Sequence, residues 1–253
     1  MILSFVVPAY NEEAYLGACL ESIIAQTQML PPEVARLTEI IVVNNASSDN
    51  TRDVALRYPG VTVVDEARKG LTFARQAGFS ASSGQLIAHV DADSRLTPGW
   101  IGQVLDTFAK EPELAALSGP VVYYDLTPSQ RVLVHFFYLT AFSCYVLNRY
   151  VLRVGSMVQG GNFVTSRAAL DAIGGFNLGI SFYGEDTDIA RRLNTVGEVR
   201  FTFRLKMFSS ARRLKKEGMF TMATRYSLNY LWTTFFKRPF TQQHKNQEVE
   251  CNG

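Results

Sequence analysis

Short apolar runs rich in β-branched residues alternate with helical patterns through the first ninety residues. The strand-like runs are residues 2–7, 39–43, 61–64 and 85–90. The helical patterns lie between them, at residues 12–26, 51–58 and 72–81. This alternation predicts an α/β fold in which a mostly parallel sheet is flanked by helices on both faces.

Polar motifs follow three of the predicted strands, at the point where each strand ends. They are residues 8–12, 44–51 and 91–93. Because ligands of open α/β sheets bind at the carboxyl ends of the strands, the sequence predicts a binding site along this edge.

The composition indicates one sizeable globular unit. With 253 residues, of which 47% are hydrophobic, the chain is long enough to bury a full core. A net charge of +2 without a basic stripe gives no indication of nucleic acid binding. The widely spaced Cys19, Cys144 and Cys251 include no C-x-x-C pair, which indicates a reducing cytosol. The apolar start lacks a basic region, so we expect a buried first strand instead of a signal peptide.

Asp91 and Asp93 form a D-x-D motif directly after the strongly apolar fourth strand. Two carboxylates at this spacing hold a hard divalent cation such as Mn²⁺ or Mg²⁺ and leave coordination positions for phosphate oxygens and water. Acidic residues at a strand end also start loops or cap a following helix, which is the alternative for this motif taken alone.

Four motifs occur in the order that is typical of the family-2 glycosyltransferases. They are VVPAYNEE at residues 6–13, VVNNASSDNT at residues 42–51, the D-x-D motif, and Gly184-Glu185-Asp186. The chain resembles this family over residues 1–217. The resemblance implies a single GT-A domain with a Rossmann-like sheet, in which residues 1–95 bind the nucleotide sugar and residues 96–217 bind the acceptor. An aromatic and basic helical extension at 218–241 and a flexible tail at 242–253 are expected to follow.

The reaction implied by the resemblance is an inverting, metal-dependent transfer from a nucleoside-diphosphate sugar, with Mn²⁺ or Mg²⁺ on Asp91 and Asp93. Processive synthases of the family carry Gln-x-x-Arg-Trp after the catalytic base. Residues 188–193 read DIARRL instead, which favours the transfer of a single sugar.

On the donor side, the resemblance assigns four residues to nucleoside binding: Pro8, Tyr10, Glu12 and Asn44. The family commonly has Asp where this sequence has Asn44. A carboxylate accepts a hydrogen bond from the uracil N3–H, whereas an amide accepts or donates. The base therefore stays open, with a UDP-sugar favoured and a GDP-sugar as the other candidate. Glu12 has a second interpretation as a charge at a helix start, and Asp49 is interpreted as a helix cap.

Three further residues are assigned by resemblance. Arg75 is expected to reach toward the diphosphate or ribose of the donor, and a solvated helix arginine is the alternative. Gly161 and Asn162 are expected on the acceptor side, where glycine lets a ligand approach the backbone closely. A tight bulge without a ligand is the alternative there.

The catalytic base implied by the resemblance is Asp186, at the start of a helix predicted to run to about residue 196. An inverting transfer needs a carboxylate that takes the proton of the acceptor hydroxyl. Glu185 is expected to position the acceptor or the base, whereas Asp188 is interpreted as a helix-start charge.

Arg212 and Arg213 lie in a run that resembles a subset of bacterial family members. If the C-terminal loop folds over the donor, both stabilise the negative charge on the departing diphosphate. The alternative is a basic patch that meets anionic lipid, since Arg204, Lys206, Lys215 and Lys216 are close in sequence.

Other function classes fit less well. A nucleotidyltransferase needs a glycine-rich basic loop after the first strand, and a dinucleotide oxidoreductase needs G-x-G-x-x-G there; residues 8–12 read PAYNE. The non-enzyme alternative is a nucleotide-sugar-binding protein with an inactive site.

Two aromatic segments, residues 132–148 and 226–240, suggest a membrane surface. The first is marginal for a span, and it is either a buried core helix or an interfacial helix. The anchors expected for the interfacial helix are Phe136, Phe137, Tyr138 and Phe142. We therefore expect a cytoplasmic protein, peripheral on the inner face of the plasma membrane, with a lipid-linked or membrane-presented glycan as the acceptor. If residues 132–148 form a core helix instead, a soluble acceptor is expected.

Overall fold

The computed structural model describes residues 3–146, 157–180 and 184–218, together with positions 221 and 224. Its strands are β1 (Leu3–Ala9), β2 (Thr38–Asn44), β3 (Val61–Asp65), β4 (Leu86–Val90), β5 (Ser94–Leu96), β6 (Leu114–Ser118), β7 (Val121–Tyr123), β8 (Asn162–Ser166), β9 (Glu198–Phe201) and β10 (Met207–Ser209). Its helices are α1 (Leu16–Gln28), α2 (Pro32–Ala35), α3 (Thr51–Leu56), α4 (Leu71–Ala81), α5 (Trp100–Lys110), α6 (Pro128–Val146), α7 (Arg167–Ala172), α8 (Glu185–Leu193) and α9 (Arg212–Glu217).

Seven strands form one sheet in the order β3-β2-β1-β4-β8-β6-β9. The first four strands in this order run parallel, β8 runs antiparallel to both of its neighbours, and β9 runs parallel to β6. A small second sheet has the order β5-β10-β7. The predicted α/β fold with a mostly parallel sheet is confirmed.

The side chains of the central strands alternate between two hydrophobic clusters, one on each face of the sheet. Phe5 and Val7 of β1 pack with α1 and α5, through residues such as Leu20 and Trp100. Val6, between them, packs on the other face with the helices α4, α7 and α8. Both faces are covered, as a parallel sheet requires, so its edge of strand ends is left for ligands.

Element boundaries differ slightly from the predicted ones. α1 begins at Leu16 and not near residue 12, because the carbonyl of Glu12 accepts the N–H groups of Tyr15 and Leu16 in a preceding turn. The predicted boundary at residues 95 and 96 lies inside β5. Since β5 pairs with β10 from the far end of the described chain, the two proposed halves share a sheet.

Helix α6 covers residues 128–146 and most of the first aromatic segment. A fully buried core helix is the wrong interpretation, because its apolar side chains Val132, Phe136 and Leu139 are 57%, 63% and 44% exposed. Two of the expected anchors instead face the protein: the Tyr138 hydroxyl bonds Gln159 at 3.1 Å, and the Phe142 ring contacts Phe203 with centroids 5.0 Å apart.

Several predicted segments lie outside the described residues. They are the tail at 242–253, the aromatic segment at 226–240, the side chain of Phe137, and the extension at 218–241 apart from positions 218, 221 and 224. In the part of the chain that is described, no helix combines the length and apolar character needed to cross a bilayer.

Candidate functional site

The loops after β1 and β2 are bound to each other at the carboxyl edge of the sheet. The Glu12 N–H donates to Thr51 Oγ1 at 2.7 Å, and the Ser48 N–H donates to Asn11 Oδ1 at 2.9 Å. Asn11 and Ala46 adopt φ angles of 53° and 55°, a left-handed conformation that is unfavourable for residues with a side chain. The cross-loop bonds of Asn11 hold its conformation, and left-handed residues of this kind are common where a loop is shaped for a ligand.

Asp49 ties the same two loops together. Its carboxylate accepts the N–H of Thr51, the first residue of α3, at 3.0 Å, and the N–H of Glu13 at 3.1 Å. Asp49 is not the N-cap of α3, which is Asn50, but it binds the first N–H of this helix and also holds the neighbouring loop.

Asn44 ends β2 beside Asp65, which ends β3. The Asn44 amide nitrogen donates to Asp65 Oδ1 at 2.8 Å, and Arg52 donates to the same carboxylate at 3.1 Å. These two hydrogen bonds hold the pKa of Asp65 below its usual range. Because an ionised carboxylate only accepts, the Asn44 amide is oriented with nitrogen toward Asp65 and with Oδ1 as a buried acceptor that lacks a hydrogen-bond partner.

Two other donor-side candidates flank this pair. Pro8 is buried within β1, where it lies opposite Val43 of β2. Tyr10 is 37% exposed, and the ammonium of Lys69 lies 4.6 Å from the centroid of its ring.

The D-x-D motif lies between β4 and β5, under the N-terminus of α9. Arg212 donates from Nε to Asp93 Oδ2 at 3.1 Å and from a terminal nitrogen to Glu12 Oε1, so its guanidinium bridges two carboxylates. The ring of Tyr15 lies 4.5 Å from the same guanidinium. Ser209 Oγ donates to the other Asp93 oxygen at 3.4 Å.

Asp125 holds α9 over the motif. Its carboxylate accepts the N–H of Ala211 at 2.7 Å and hydrogen bonds from Ser210 and Lys215, both at 3.2 Å. The C-terminal loop therefore places Arg212 against the D-x-D motif. Arg213 pairs along the helix with Glu217 at 3.8 Å.

Carboxylates are crowded around the motif. Burial raises the pKa of Glu12 to about 7, Arg212 opposes this shift, and the nearby Asp93 and Asp91 add to it. Burial and the charge of Asp91 likewise raise the pKa of Asp93. Glu12 Oε2 is buried without a hydrogen-bond partner. The site thus has excess negative potential that a cation would relieve.

The Gly160-Gly161 turn lies between the D-x-D motif and the start of α8. A Cβ at Gly161 would lie 2.2 Å from Asp91 Oδ2, and Gly161 has a φ of +76°. A Cβ at Gly160 would lie 3.9 Å from Asp186 Oδ2. Only glycine allows the backbone to approach Asp91 this closely, so the turn brings the two acidic motifs together.

Arg75 is fully buried and joins the same two motifs. Its guanidinium pairs with Asp91 at 3.2 Å and with Glu185, and it lies 5.2 Å from the ring centroid of Phe163. The expectation of an arginine reaching toward the donor is corrected here: at 1% exposure, Arg75 holds the protein's own carboxylates. A solvated helix arginine is equally inconsistent with this burial.

Asn162 is also corrected. Its side chain has no exposed surface: Oδ1 accepts from Trp100 Nε1 at 3.1 Å, and Nδ2 donates to the carbonyls of Gly119 and Leu205 at 2.9 and 2.8 Å. With both ends of the amide bound inside the protein, Asn162 joins β8 to the loops beside it and offers no side-chain atom to an acceptor.

Glu185 and Asp186 begin α8 as the sequence predicts. Burial raises the pKa of Glu185 to about 7, with Arg75 opposing the shift and Asp186 adding to it. Burial also raises the pKa of Asp186, whereas the N–H of Thr187, which donates to Asp186 Oδ1 at 2.8 Å, opposes the shift. Asp188 is buried and paired with Arg191 at 3.0 Å, in keeping with a structural helix-start charge.

Sequence reasoning missed Asp65, Asp125 and Asn45. Asn45 is buried and shapes the donor-side loop by bonding the carbonyl of Arg68 at 2.7 Å and the N–H of Gly70 at 2.9 Å. The sequence offered one signal. Asp65 directly follows a predicted strand, as Asn44 does, and the ends of neighbouring parallel strands meet at one edge of the sheet.

The comparisons with known proteins agree with this geometry. The profile for "Glycosyl transferase family 2" matches residues 4–174. The uncharacterized glycosyltransferase YibD of Escherichia coli is 34% identical over 116 residues, which cover 44% of this chain and 31% of that protein. Dolichyl-phosphate beta-glucosyltransferase ALG5C of Trichomonas vaginalis is 38% identical over 96 residues, covering 36% of this chain and 28% of that protein. The chain thus spans about a third of the length of these relatives.

Solved structures share the fold at low identity. A mannosyltransferase from Pyrobaculum calidifontis, in complex with GDP-Man and Mn²⁺, has a TM-score of 0.67 at 21% identity, covering 93% of this chain and 63% of that one. Glucosyl-3-phosphoglycerate synthase from Mycobacterium tuberculosis, with Mn²⁺ and UDP-glucose, has a TM-score of 0.60 at 20% identity, covering 92% and 78%. By the family profile over most of its length and by the GT-A fold of these structures, the chain belongs to glycosyl transferase family 2.

Proposed function

We propose that this chain transfers a single sugar, with inversion, from a nucleoside-diphosphate sugar to a hydroxyl or phosphate acceptor. The observation that carries the proposal is the Gly160-Gly161 turn, which has the D-x-D carboxylate Asp91 on one side and Asp186 on the other. A donor diphosphate at the first motif and an acceptor at the second are then neighbours, as a direct displacement requires.

Asp186 acts as the base for a hydroxyl acceptor in this scheme. Its Oδ1 is held by the Thr187 N–H, while Oδ2 lies toward the Gly160 turn. Partial burial raises its pKa, which makes the carboxylate a stronger base while Arg75 keeps its charge partly balanced. Glu185 positions the site through its ion pair with Arg75.

Asp91 and Asp93 would hold Mn²⁺ or Mg²⁺. The donor set fits a hard cation, because the carboxylates are crowded and Glu12 Oε2 is buried without a hydrogen-bond partner. Among the described residues no cluster of three or more His, Cys, Asp or Glu side chains could enclose a metal, so phosphate oxygens and water would complete the shell. When bound, the metal offsets the negative charge on the departing diphosphate. Both solved structures named above contain Mn²⁺, which supports this choice.

The donor base follows from Asn44. Because Asp65 fixes the amide, Asn44 presents an oxygen acceptor much as a carboxylate does, and this favours a base with a ring N–H donor such as uracil. A UDP-sugar is therefore the first candidate and a GDP-sugar the second. The test is a thermal-shift panel of UDP-, GDP-, CDP- and dTDP-sugars with Mn²⁺, since a ligand stabilises the native state according to its affinity. If no nucleotide sugar raises the Tm, the proposal is wrong.

The Asp65→Ala variant is expected to reduce discrimination between UDP and CDP. Without the carboxylate, the Asn44 amide rotates freely and offers either its oxygen or its nitrogen. The ratio of the Kd for CDP to the Kd for UDP should therefore fall by about five- to tenfold, which corresponds to the free energy of one hydrogen bond. Titration calorimetry with both nucleotides measures this ratio. Arg52→Ala is the control: it removes a partner of Asp65 but keeps the carboxylate, and its ratio should stay at the wild-type value. An unchanged ratio in Asp65→Ala would contradict the assignment.

We infer a lipid-linked or membrane-presented acceptor and attachment to the inner face of the plasma membrane. Val132, Phe136, Leu139 and Val146 recur at helical spacing on α6 and are all at least 36% exposed. α6 contains no acidic residue, and Arg149 and Arg153 follow it in sequence, as suits anionic headgroups. The relative from Trichomonas vaginalis is named for dolichyl phosphate, which is a lipid.

The protein is expected to sediment with anionic vesicles at low salt and to be released only partly at high salt, because salt screens the electrostatic share of binding but not the apolar share. Phe136→Ser should lower the bound fraction, whereas Leu178→Ser, at an exposed leucine outside α6, should not. Wild-type protein that stays in the supernatant at low salt would leave a soluble acceptor as the better choice.

A further inference from the structure

Arg212 occupies one carboxylate oxygen of Asp93, which is one of the two proposed metal ligands. Its guanidinium is bonded at once to Asp93 Oδ2 and to Glu12, and it is one-third exposed. A guanidinium stays protonated at any pH at which the protein is folded, so this is a permanent positive charge at the motif. It is held there by the packing of Tyr15 and by the Asp125 anchor of α9.

A divalent cation and this guanidinium compete for the Asp93 carboxylate. Mg²⁺ binds carboxylate oxygens at about 2.0–2.1 Å, well inside the hydrogen-bond distance of Arg212. Beyond the shared oxygen, two cations side by side repel each other in a partly buried site. Binding of one is thus expected to loosen the other.

We propose that Arg212 is the resident counter-ion of the D-x-D motif, and that a divalent cation binds Asp93 only as Arg212 leaves it. This inference rests on the proposed function, in which Asp91 and Asp93 hold the metal. Metal entry is thereby coupled to α9, because the arginine that the metal displaces is the first residue of that helix. Arg212 therefore sets the affinity of the free protein for metal, and the coupling is reciprocal.

Binding of Mn²⁺ alone, without nucleotide, tests this directly through the electron paramagnetic resonance signal of free Mn²⁺. Arg212→Met should bind Mn²⁺ about fivefold tighter or more, the low end of common coupling between sites. Lys216→Met removes an exposed positive charge from the same helix, α9, and should change the Kd by less than about twofold, as a screened charge does. Asp93→Asn should lose the binding. A wild-type or weaker Kd in Arg212→Met, with Asp93→Asn still defective, overturns the inference and leaves the metal site intact. No bound Mn²⁺ in any variant overturns the metal site itself.

A second measurement uses the wild-type chain, so it does not depend on the folding of a variant. If Mn²⁺ displaces Arg212, amide hydrogen exchange across Arg212–Glu217 should become faster at saturating Mn²⁺, while exchange across Trp100–Lys110 should not change. Unchanged or slower exchange in α9 at saturating Mn²⁺ contradicts the proposal.

Discussion

Asp93→Ala is expected to abolish metal-dependent sugar transfer while leaving the fold intact. Asp93 is the D-x-D carboxylate that lies deepest in the site, and Asp91 on its own is already engaged by Arg75. Loss of one of two protein ligands leaves a hard cation with too few oxygens to stay bound. Transfer of the radiolabelled donor sugar, with Mn²⁺ present or removed by chelator, measures the effect.

The control for this variant is Asp106→Ala, which removes an exposed carboxylate of α5 and should retain wild-type turnover. The Tm of Asp93→Ala should stay close to the wild-type value, because Arg212 keeps Glu12 as a partner. The metal assignment fails if Asp93→Ala keeps wild-type turnover after chelation.

Most of the fold was predictable from the sequence because the spacing of apolar residues differs clearly between the strands and the helices. Buried parallel strands read as continuous apolar runs, and each predicted strand up to β4 lies within about two residues of the observed element. The part of the fold after β4 was less predictable. β8 lies between β4 and β6, although β4 is separated from it by more than seventy residues, and no local pattern specifies such a pairing.

The placement of a candidate residue in the fold was predictable where the residue follows a strand or begins a helix, as for Asp91, Asp93 and Asp186. It was not predictable where burial decides a role. Arg75 and Asn162 fit the family pattern by position, yet both are enclosed by protein partners that come from distant segments. A sequence gives the residue type, but only packing tells whether a polar group faces the cleft or the interior.

Asp186→Asn is expected to lower kcat by roughly 10²-fold or more with donor affinity nearly unchanged, since an amide keeps the shape of the carboxylate but takes no proton. Burial raises the pKa of Asp186 above its ordinary 3.8, and the group acts only when ionised. The wild-type kcat should therefore fall as the pH drops through that raised pKa, and the residual rate of Asp186→Asn should lack this dependence.

The matched control is Asp188→Asn, two residues along α8. It breaks the pair with Arg191 and should lower the Tm while leaving the turnover of folded protein near wild type. A parallel loss of donor affinity and turnover in Asp186→Asn would make Asp186 a binding residue. Proton NMR of the product should show an inverted anomeric centre, and retention would exclude the direct displacement in which Asp186 is the base.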